Sequence, residues 1–349
     1  MSTLLPSAID RALDDIYRRS RNDDYYWNPV LWAEEVLGAE LWSVQKEMMM
    51  SVANNKRTAV KSCHSSGKTY TMGILACWWV CTRGFQSLVV STAPTYNQVH
   101  TILWNEIRRH WGEAELPGNV TQADNWNLTA KRADGKDRVE LVAFGKRPAD
   151  HDTAAFQGLH RDGGVLFLMD EAVGIPESIF TASQVNTTAP HDRVFAIANP
   201  DDVQTPFGQV FEKDDPTWNK ITISAYATPN FTGEINQMSP GMSKHFPQPD
   251  WVEDMKIQWG EDSSRFKSKI LAEFPDQSDY MFFTQHDIDR ATDYDPTEVL
   301  ADSDDRPVLG LDVARFGDDK STVYSFMESS HMVELVDEWA KTDLHETAM

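Results

Sequence analysis

The sequence predicts an α/β protein whose core is a parallel β-sheet covered by helices on both faces. Several short segments, such as residues 165–169, are apolar without interruption, which is typical of strands buried on both faces. These segments alternate with helix-like segments, such as residues 70–82, and turn-forming pairs such as Asn54-Asn55 punctuate them. Repeated strand–helix units of this kind build open, mostly parallel sheets.

The elements follow in order along the chain. Residues 7–40 are predicted to be helical because their apolar side chains recur at helical spacing. A further helix leads into the first strand, residues 57–61. The other elements predicted for this layered core are strands at 87–91, 139–144, 165–169, 193–198 and 220–224, and helices at 70–82 and 97–111.

The composition changes after residue 225. Residues 226–250 are rich in Pro, Gly, Asn and Ser, which predicts a loop, and residues 250–274 are predicted to be helical. A new strand at 307–312 is followed by strands at 323–327 and 333–336, which indicates the opening of another domain, cut off at Met349. We therefore predict a first domain at 1–225, a linker with a helical segment at 226–305, and a partial domain at 306–349.

Composition limits the class of protein. The 349 residues exceed one ordinary core, and the net charge of -22 disfavours a nucleic-acid binder without excluding a local basic patch. Neither a transmembrane run nor a signal-peptide core is present, so we expect a cytoplasmic protein without a membrane partner. Cys63, Cys77 and Cys81 lack the spacing of a disulfide framework and are interpreted as small buried hydrophobes.

A phosphate-binding loop is predicted between the first strand and the next helix. Backbone N–H groups at a helix start, here those of Ser65, Ser66 and Gly67, favour phosphate oxygens. Lys68 would reach the β- and γ-phosphates of ATP, and the Thr69 hydroxyl would bind Mg²⁺. The usual first glycine of this motif is replaced by Ser62, so the alternative is a plain strand-to-helix turn.

An acidic pair, Asp170-Glu171, ends the apolar strand at 165–169. The carboxyl end of a strand is where ligands bind in open α/β sheets. In a nucleotide hydrolase the first carboxylate supports the Mg²⁺ shell and the second polarises the attacking water. The alternative is a solvated acidic loop. Loop and pair together predict a P-loop NTPase of the ASCE type, which has an additional strand and a catalytic glutamate.

Two further polar residues fit such a site. Gln45, just upstream of the first strand, is placed to hydrogen-bond the adenine edge, or is an ordinary surface glutamine at a helix start. Asn199 ends the strand at 193–198 and is placed to sense the γ-phosphate, or belongs to a simple Asn-Pro turn.

Positive charge is needed at the transferred phosphoryl group. Lys146, Arg147 and Arg161 lie between the core motifs and are the candidates, with Arg161 close before the acidic strand. Each of them is equally open to a contact with DNA or with solvent.

Taken in order, these motifs resemble the large terminase subunit of tailed bacteriophages. The resemblance spans residues 25 to 325 and departs from the usual pattern at Ser62 and at Gln157, where many relatives carry an Arg-Gly pair. The segments that carry it are Leu41-Trp42-Ser43-Val44-Gln45, Ser66-Gly67-Lys68-Thr69, Val89-Val90-Ser91-Thr92-Ala93-Pro94-Thr95, Ala155-Phe156-Gln157-Gly158-Leu159-His160, Leu168-Met169-Asp170-Glu171-Ala172, Ile197-Ala198-Asn199-Pro200 and Leu309-Gly310-Leu311-Asp312-Val313-Ala314.

The resemblance implies a packaging motor with an N-terminal ATPase domain and a C-terminal ribonuclease H-like nuclease domain. In it Asp312 would bind Mg²⁺ or Mn²⁺, with Asp318 or Asp319 as possible helpers, although the partial domain is expected to lack a complete site. An arginine of one subunit, Arg161 or Arg147 here, would act on the nucleotide of the next.

The implied partners are double-stranded DNA, the small terminase subunit, the portal protein and further copies of the chain in a pentameric ring. The implied place of action is the host cytoplasm, and the protein would not remain in the mature virion. Two other functions stay open on the residues alone: a helicase-like ATPase, and a non-catalytic scaffold that binds DNA on the same fold.

Overall fold

A computed structural model of the protein describes residues 23–131, 135–146, 158–275, 308–312, 320–327 and 332–340. The chain divides into two compact units, Met1–Met281 and Phe282–Met349. Within the described residues, no helix is long and apolar enough to cross a membrane.

The first unit is built on a sheet with the strand order β3-β4-β5-β2-β6-β7-β1-β8. The run from β5 to β8 is parallel, whereas β4 pairs antiparallel with β5 and with β3. The predicted parallel sheet is therefore confirmed, with an antiparallel edge that the sequence did not reveal. The strands of this sheet are β1 (Arg57–Ser62), β2 (Leu88–Thr92), β3 (Asn119–Val120), β4 (Asn125–Lys131), β5 (Asp137–Gly145), β6 (Val165–Asp170), β7 (Arg193–Ala198) and β8 (Asn219–Ile223).

Helices cover both faces of this sheet. Every residue of β2 and β6 is buried. Neighbouring residues of one strand point to opposite faces, so Leu166 packs in one apolar cluster and Phe167 in the other. The helices are α1 (Asp23–Trp27), α2 (Pro29–Val36), α3 (Ser43–Asn54), α4 (Lys68–Arg83), α5 (Trp104–Glu113), α6 (Glu177–Asn186), α7 (Pro206–Glu212), α8 (Pro229–Thr232), α9 (Pro249–Trp259) and α10 (Ser264–Phe266).

The strand order brings three strand ends together. β7 lies between β1 and β6, and its Ile197 is in register with Val60 of β1 and with Asp170 of β6. Because the three strands are parallel, their carboxyl ends open onto the same edge of the sheet. One strand inserted between the loop strand and the acidic strand is the ASCE-type arrangement expected from the sequence.

Residues 225–275 add short helices to the first unit. Val252 of α9, Phe266 of α10 and Ile270 form a small apolar cluster with Ala225 and with Cys63, the residue that follows β1. All three cysteines are buried and free, as the sequence predicted. This packing places the segment that follows α10 directly against the predicted phosphate loop.

The second unit contains a three-stranded antiparallel sheet with the order β11-β10-β9. Its strands are β9 (Val308–Asp312), β10 (Lys320–Met327) and β11 (Met332–Ala340). The pairing of β10 with β11 shifts register between Val323 and Tyr324.

Candidate nucleotide site

The loop between β1 and α4 has the backbone of a phosphate cradle. Gly67 adopts a left-handed conformation with φ of 83°, and Ser65 does so with φ of 56°. A Cβ atom on Gly67 would lie 2.6 Å from Nε2 of Gln45 and would push the end of that side chain away, and the left-handed backbone itself favours glycine here. Helix α4 begins at the next residue, which leaves its first N–H groups free to bind an anion.

We expect the Gly67→Ala variant to lose at least about tenfold in affinity for ATP, because the left-handed backbone disfavours alanine and its Cβ displaces Gln45. Calorimetric titration with a non-hydrolysable ATP analogue measures this loss. Gly112→Ala is the matched control, since a Cβ there meets nothing within 4 Å. An unchanged affinity in Gly67→Ala would contradict the assignment of the loop.

Ser62, which replaces the usual first glycine, is accommodated by hydrogen bonds. Its Oγ lies 2.5 Å from Oγ of Ser66, and both residues are fully buried. Its carbonyl oxygen accepts a hydrogen bond of 2.5 Å from Nδ2 of Asn199. The departure from the motif thus adds internal contacts to the loop and leaves its backbone path intact.

Lys68 and Asp170 face the same space at the carboxyl edge. The Lys68 Nζ donates to the carbonyl oxygen of Cys63 at 3.1 Å, which holds the ammonium group over the loop. Burial and, after it, the negative charge of Glu171 raise the pKa of Asp170 to about 7, although the nearby Lys68 ammonium opposes both. The two side chains are therefore close enough for their charges to interact, although Asp170 ends β6 and Lys68 follows β1, two strands about 10 Å apart with β7 between them.

Glu171 is held in an unusual conformation beside Asp170. Its φ is 47°, a left-handed value that a non-glycine residue seldom adopts. Its N–H donates to Oδ1 of Asp170 at 3.0 Å. Strained backbone of this kind is concentrated at functional sites.

These residues fit a nucleotide bound with Mg²⁺. Thr69 is the second residue of α4, next to Lys68, and the Asp170 carboxyl group is buried, with Lys68 as the positive group that acts on its pKa. Hydroxyl and carboxylate oxygens are the ligands that Mg²⁺ prefers. A divalent cation there would offset the cost of burying the Asp170 charge.

A cavity of about 730 Å³ continues from the loop toward Gln45. Gln45 is 3% exposed, and its Oε1 accepts from the backbone N–H of Trp42 at 3.4 Å. Tyr70 and Phe246 supply aromatic rings to the same cavity, which also contains Ser65, Ser66 and Thr69. Gln45, which was predicted to bind adenine, thus lines the same cavity as the phosphate loop, together with two aromatic rings.

Comparison with known proteins gives a fold but no sequence relative: no protein-family model and no curated protein matches this chain. Among solved structures, the large terminase of bacteriophage HK97 aligns with a TM-score of 0.53 and 13% identity, covering 93% of this chain and 70% of that one. The large terminase ATPase domain of Thermus phage P74-26 aligns with a TM-score of 0.50 and 16% identity, covering 71% of this chain and 99% of that one. This chain has the fold of a large terminase ATPase domain. The resemblance expected from the motifs is thereby confirmed for the fold.

Within this terminase fold, the amide of Asn199 is engaged by the loop itself. Its Nδ2 donates to the Ser62 carbonyl, and its side chain is also hydrogen-bonded to the ring of His64. Burial lowers the pKa of His64, and the neighbouring Lys68 and Lys269 lower it further. Asn199 therefore links β7 to the phosphate loop, and its role as a γ-phosphate sensor stays a prediction.

His64 and Lys269 are residues of this site that sequence reasoning missed. The His64 N–H donates to the Lys269 carbonyl at 2.9 Å, and the Lys269 ammonium pairs with Asp201 at 2.8 Å. A cavity of about 580 Å³ beside them also contains Arg265. No local pattern could have indicated this cluster, because it joins the loop to a segment some 200 residues later in the chain.

Arg161 is not brought into this site. Arg161 precedes β6, whereas Asp170 ends it, so the six-residue strand separates them by about 20 Å. Arg161 donates instead to the adjacent carbonyl of His160 at 3.0 Å. Arg161 therefore lies away from the phosphate loop of its own subunit, and its action on a neighbouring subunit's nucleotide stays a prediction. Arg147 lies outside the described residues.

Asp312 ends β9 in the second unit, in register with Thr322 of β10, and is exposed. Asp318 and Asp319 lie outside the described residues. In the part of the chain that the structure describes, no three His, Cys, Asp or Glu side chains are grouped to hold a metal ion. A metal-binding role for Asp312 stays a prediction.

Proposed function

We propose that this chain is an ATP-hydrolysing motor subunit that moves double-stranded DNA into a viral procapsid. The observation that carries the proposal is the shared space of Lys68 and the Asp170–Glu171 pair at the carboxyl edge. The fold shared with terminase ATPase domains supports the same reading.

In this mechanism the loop residues position the phosphates. N–H groups at the start of α4 and the Lys68 ammonium bind the β- and γ-phosphate oxygens, and Thr69 and Asp170 would hold Mg²⁺. When bound there, the ion would supply positive charge to offset the charge that develops on the phosphates. Glu171, at the tip of β6, orients the attacking water and accepts its proton.

Additional positive charge comes from two sources in this proposal. Lys269 and Arg265 lie beside His64 and supply it from the same subunit. Arg161 or Arg147 supplies it from the neighbouring subunit of a pentameric ring docked on the portal protein, with the small terminase subunit delivering the DNA. DNA cleavage by Asp312 with Mg²⁺ or Mn²⁺ belongs to the same proposal and needs further carboxylates, since two-metal hydrolysis uses several acids.

The Lys68→Ala variant is expected to lose nearly all ATP hydrolysis, because it removes the ammonium group that is held over the loop by the Cys63 carbonyl. Phosphate release in the presence of duplex DNA measures the loss. Lys46→Ala is the control, since that lysine pairs with Glu34 away from the loop.

Two results would overturn the proposal of a packaging motor. Wild-type protein without any phosphate release would favour a DNA-binding scaffold. ATP-dependent separation of duplex strands would favour a helicase.

A further inference from the structure

A second cavity, of about 1190 Å³, lies at the amino edge of the sheet, opposite the nucleotide site. It is bounded by α1, the end of α4, the start of β5 and the turn before β6. We call it the arginine cavity. Its charged and titratable lining consists of Arg83, Arg138, Arg161, His160, Glu140 and Asp162.

Arg83 is enclosed by aromatic rings and has no carboxylate partner among the described residues. Its guanidinium carbon lies 4.1, 4.5 and 3.7 Å from the ring centroids of Tyr26, Trp78 and Trp79. Its terminal N–H groups donate to the Thr82 hydroxyl and to the Tyr26 carbonyl, and the Tyr26 side chain also interacts with it. Its Nε is buried and has no hydrogen-bond partner among the described residues.

Arg161 is only partly buried, but it too has no carboxylate partner among the described residues. Its one hydrogen bond among the described residues goes to the His160 carbonyl, and its Nε is buried without a partner there. By contrast Arg138 pairs with Glu140 at 2.6 Å. Two guanidinium groups of one cavity thus lack a carboxylate among the described residues, in a chain with a net charge of -22.

Such an arrangement is costly without an anion. Burial lowers the pKa of Arg83 to about 9, which reports the desolvation of its charge. Guanidinium groups remain protonated in proteins, so the charge is not removed by loss of a proton. An anion that enters the cavity would offset the cost of burying this positive charge.

We propose that the arginine cavity binds phosphate oxyanions, with Arg83, Arg161 and Arg138 as the candidate donors. The planar fork of N–H groups matches two oxygens of a phosphate. The phosphate belongs either to the backbone of DNA or to a free polyphosphate. The DNA source rests on the proposed packaging function, whereas binding of the free anion does not.

Two binding experiments, one with duplex DNA and one with pyrophosphate, and one arginine substitution test the site. The first experiment uses a fluorescein-labelled DNA duplex of mixed sequence, just long enough to cover one binding site. Its binding is measured by fluorescence anisotropy at several salt concentrations. Pyrophosphate is titrated by calorimetry in a Lys68→Ala background, which removes the competing loop. Arg161→Gln is expected to weaken at least one probe roughly tenfold. In the duplex series it should also lower the salt slope by about 0.9 for the lost contact.

Lys256→Gln is the matched control, because it removes one positive charge from an exposed ion pair with Glu261. Arg161→Lys keeps the charge without the fork and is expected to fall between wild type and Arg161→Gln. Where Arg161→Gln fails to fold, the exposed Arg138→Gln replaces it as the test.

The outcomes separate the sources. Weakening of duplex binding alone identifies DNA, and weakening of pyrophosphate alone identifies a free polyphosphate. Weakening of both identifies a shared site. Arginine variants that bind both probes as well as Lys256→Gln would overturn this proposal, but not the proposed nucleotide site, which is tested separately by Lys68→Ala.

Discussion

The Glu171→Gln variant is expected to bind ATP with nearly wild-type affinity and to hydrolyse it about 10²- to 10⁴-fold more slowly, the range of a lost general base. Glutamine keeps the length of the side chain and the N–H that donates to Asp170, so the loop and its phosphates are undisturbed. The amide has no proton affinity at neutral pH and cannot activate water. Phosphate release and equilibrium binding of an ATP analogue, measured on the same preparation, separate the two effects.

Glu177→Gln is the matched control for this experiment. This substitution makes the same chemical change six residues away, at a side chain that is exposed in the first turn of α6. Hydrolysis by Glu171→Gln within a factor of about three of wild type would remove the glutamate from the mechanism, since a lost general base costs far more.

The Asp170→Asn variant is expected to be more stable than wild type and inactive. Burial and the charge of Glu171 raise the pKa of Asp170 from 3.8 to about 7 in the folded chain. Ionisation of this group therefore costs folding stability progressively as the pH rises from about 4 to 7, and the full cost applies above pH 7. Asparagine removes the charge, so we expect a gain of about 1–2 kcal/mol at pH 8 that disappears near pH 4.

Denaturant unfolding without nucleotide or Mg²⁺, repeated at several pH values, measures this gain. Asp254→Asn on the exposed surface of α9 is the control and should show no such trend. A stability gain that is constant from pH 4 to pH 8, or a loss at pH 8, would contradict the buried charge. The prediction links function to stability, because the carboxylate that Mg²⁺ requires is the one that destabilises the empty site.

The sequence revealed the parts of the site that are local. Lys68 is recognisable because it sits between a strand and a helix, and Asp170 because it ends a fully apolar strand. Their meeting depends on β7 lying between β1 and β6, which is a long-range pairing that no local pattern encodes. The prediction that the two residues come together depended on the order of the motifs along the chain, which resembles that of large terminase subunits.

Two misses have physical causes. β4 was missed because its buried residues only partly alternate and several of its side chains are polar. Arg161 was placed near the site because it is close to Asp170 in sequence. A strand, however, carries the chain about 3.3 Å per residue, so residues before and after β6 lie at opposite edges.

The contacts of His64 were beyond prediction for another reason. Its partners, Asn199 and Lys269, come from distant segments that the packing of residues 225–275 brings to the loop. Asn199 was identified as polar and well placed, but its engagement with the Ser62 carbonyl is a consequence of side-chain geometry alone.

The most direct test is the Mg²⁺ dependence of nucleotide affinity in three proteins. A non-hydrolysable ATP analogue is titrated with and without Mg²⁺ into wild type, Lys68→Ala and Asp170→Asn. If the lysine and the carboxylate share one triphosphate, Lys68→Ala binds weakly in both conditions, and Asp170→Asn binds like wild type without Mg²⁺ but gains nothing when it is added. An Asp170→Asn variant whose affinity rises with Mg²⁺ as much as that of wild type would show that this acid serves a different purpose.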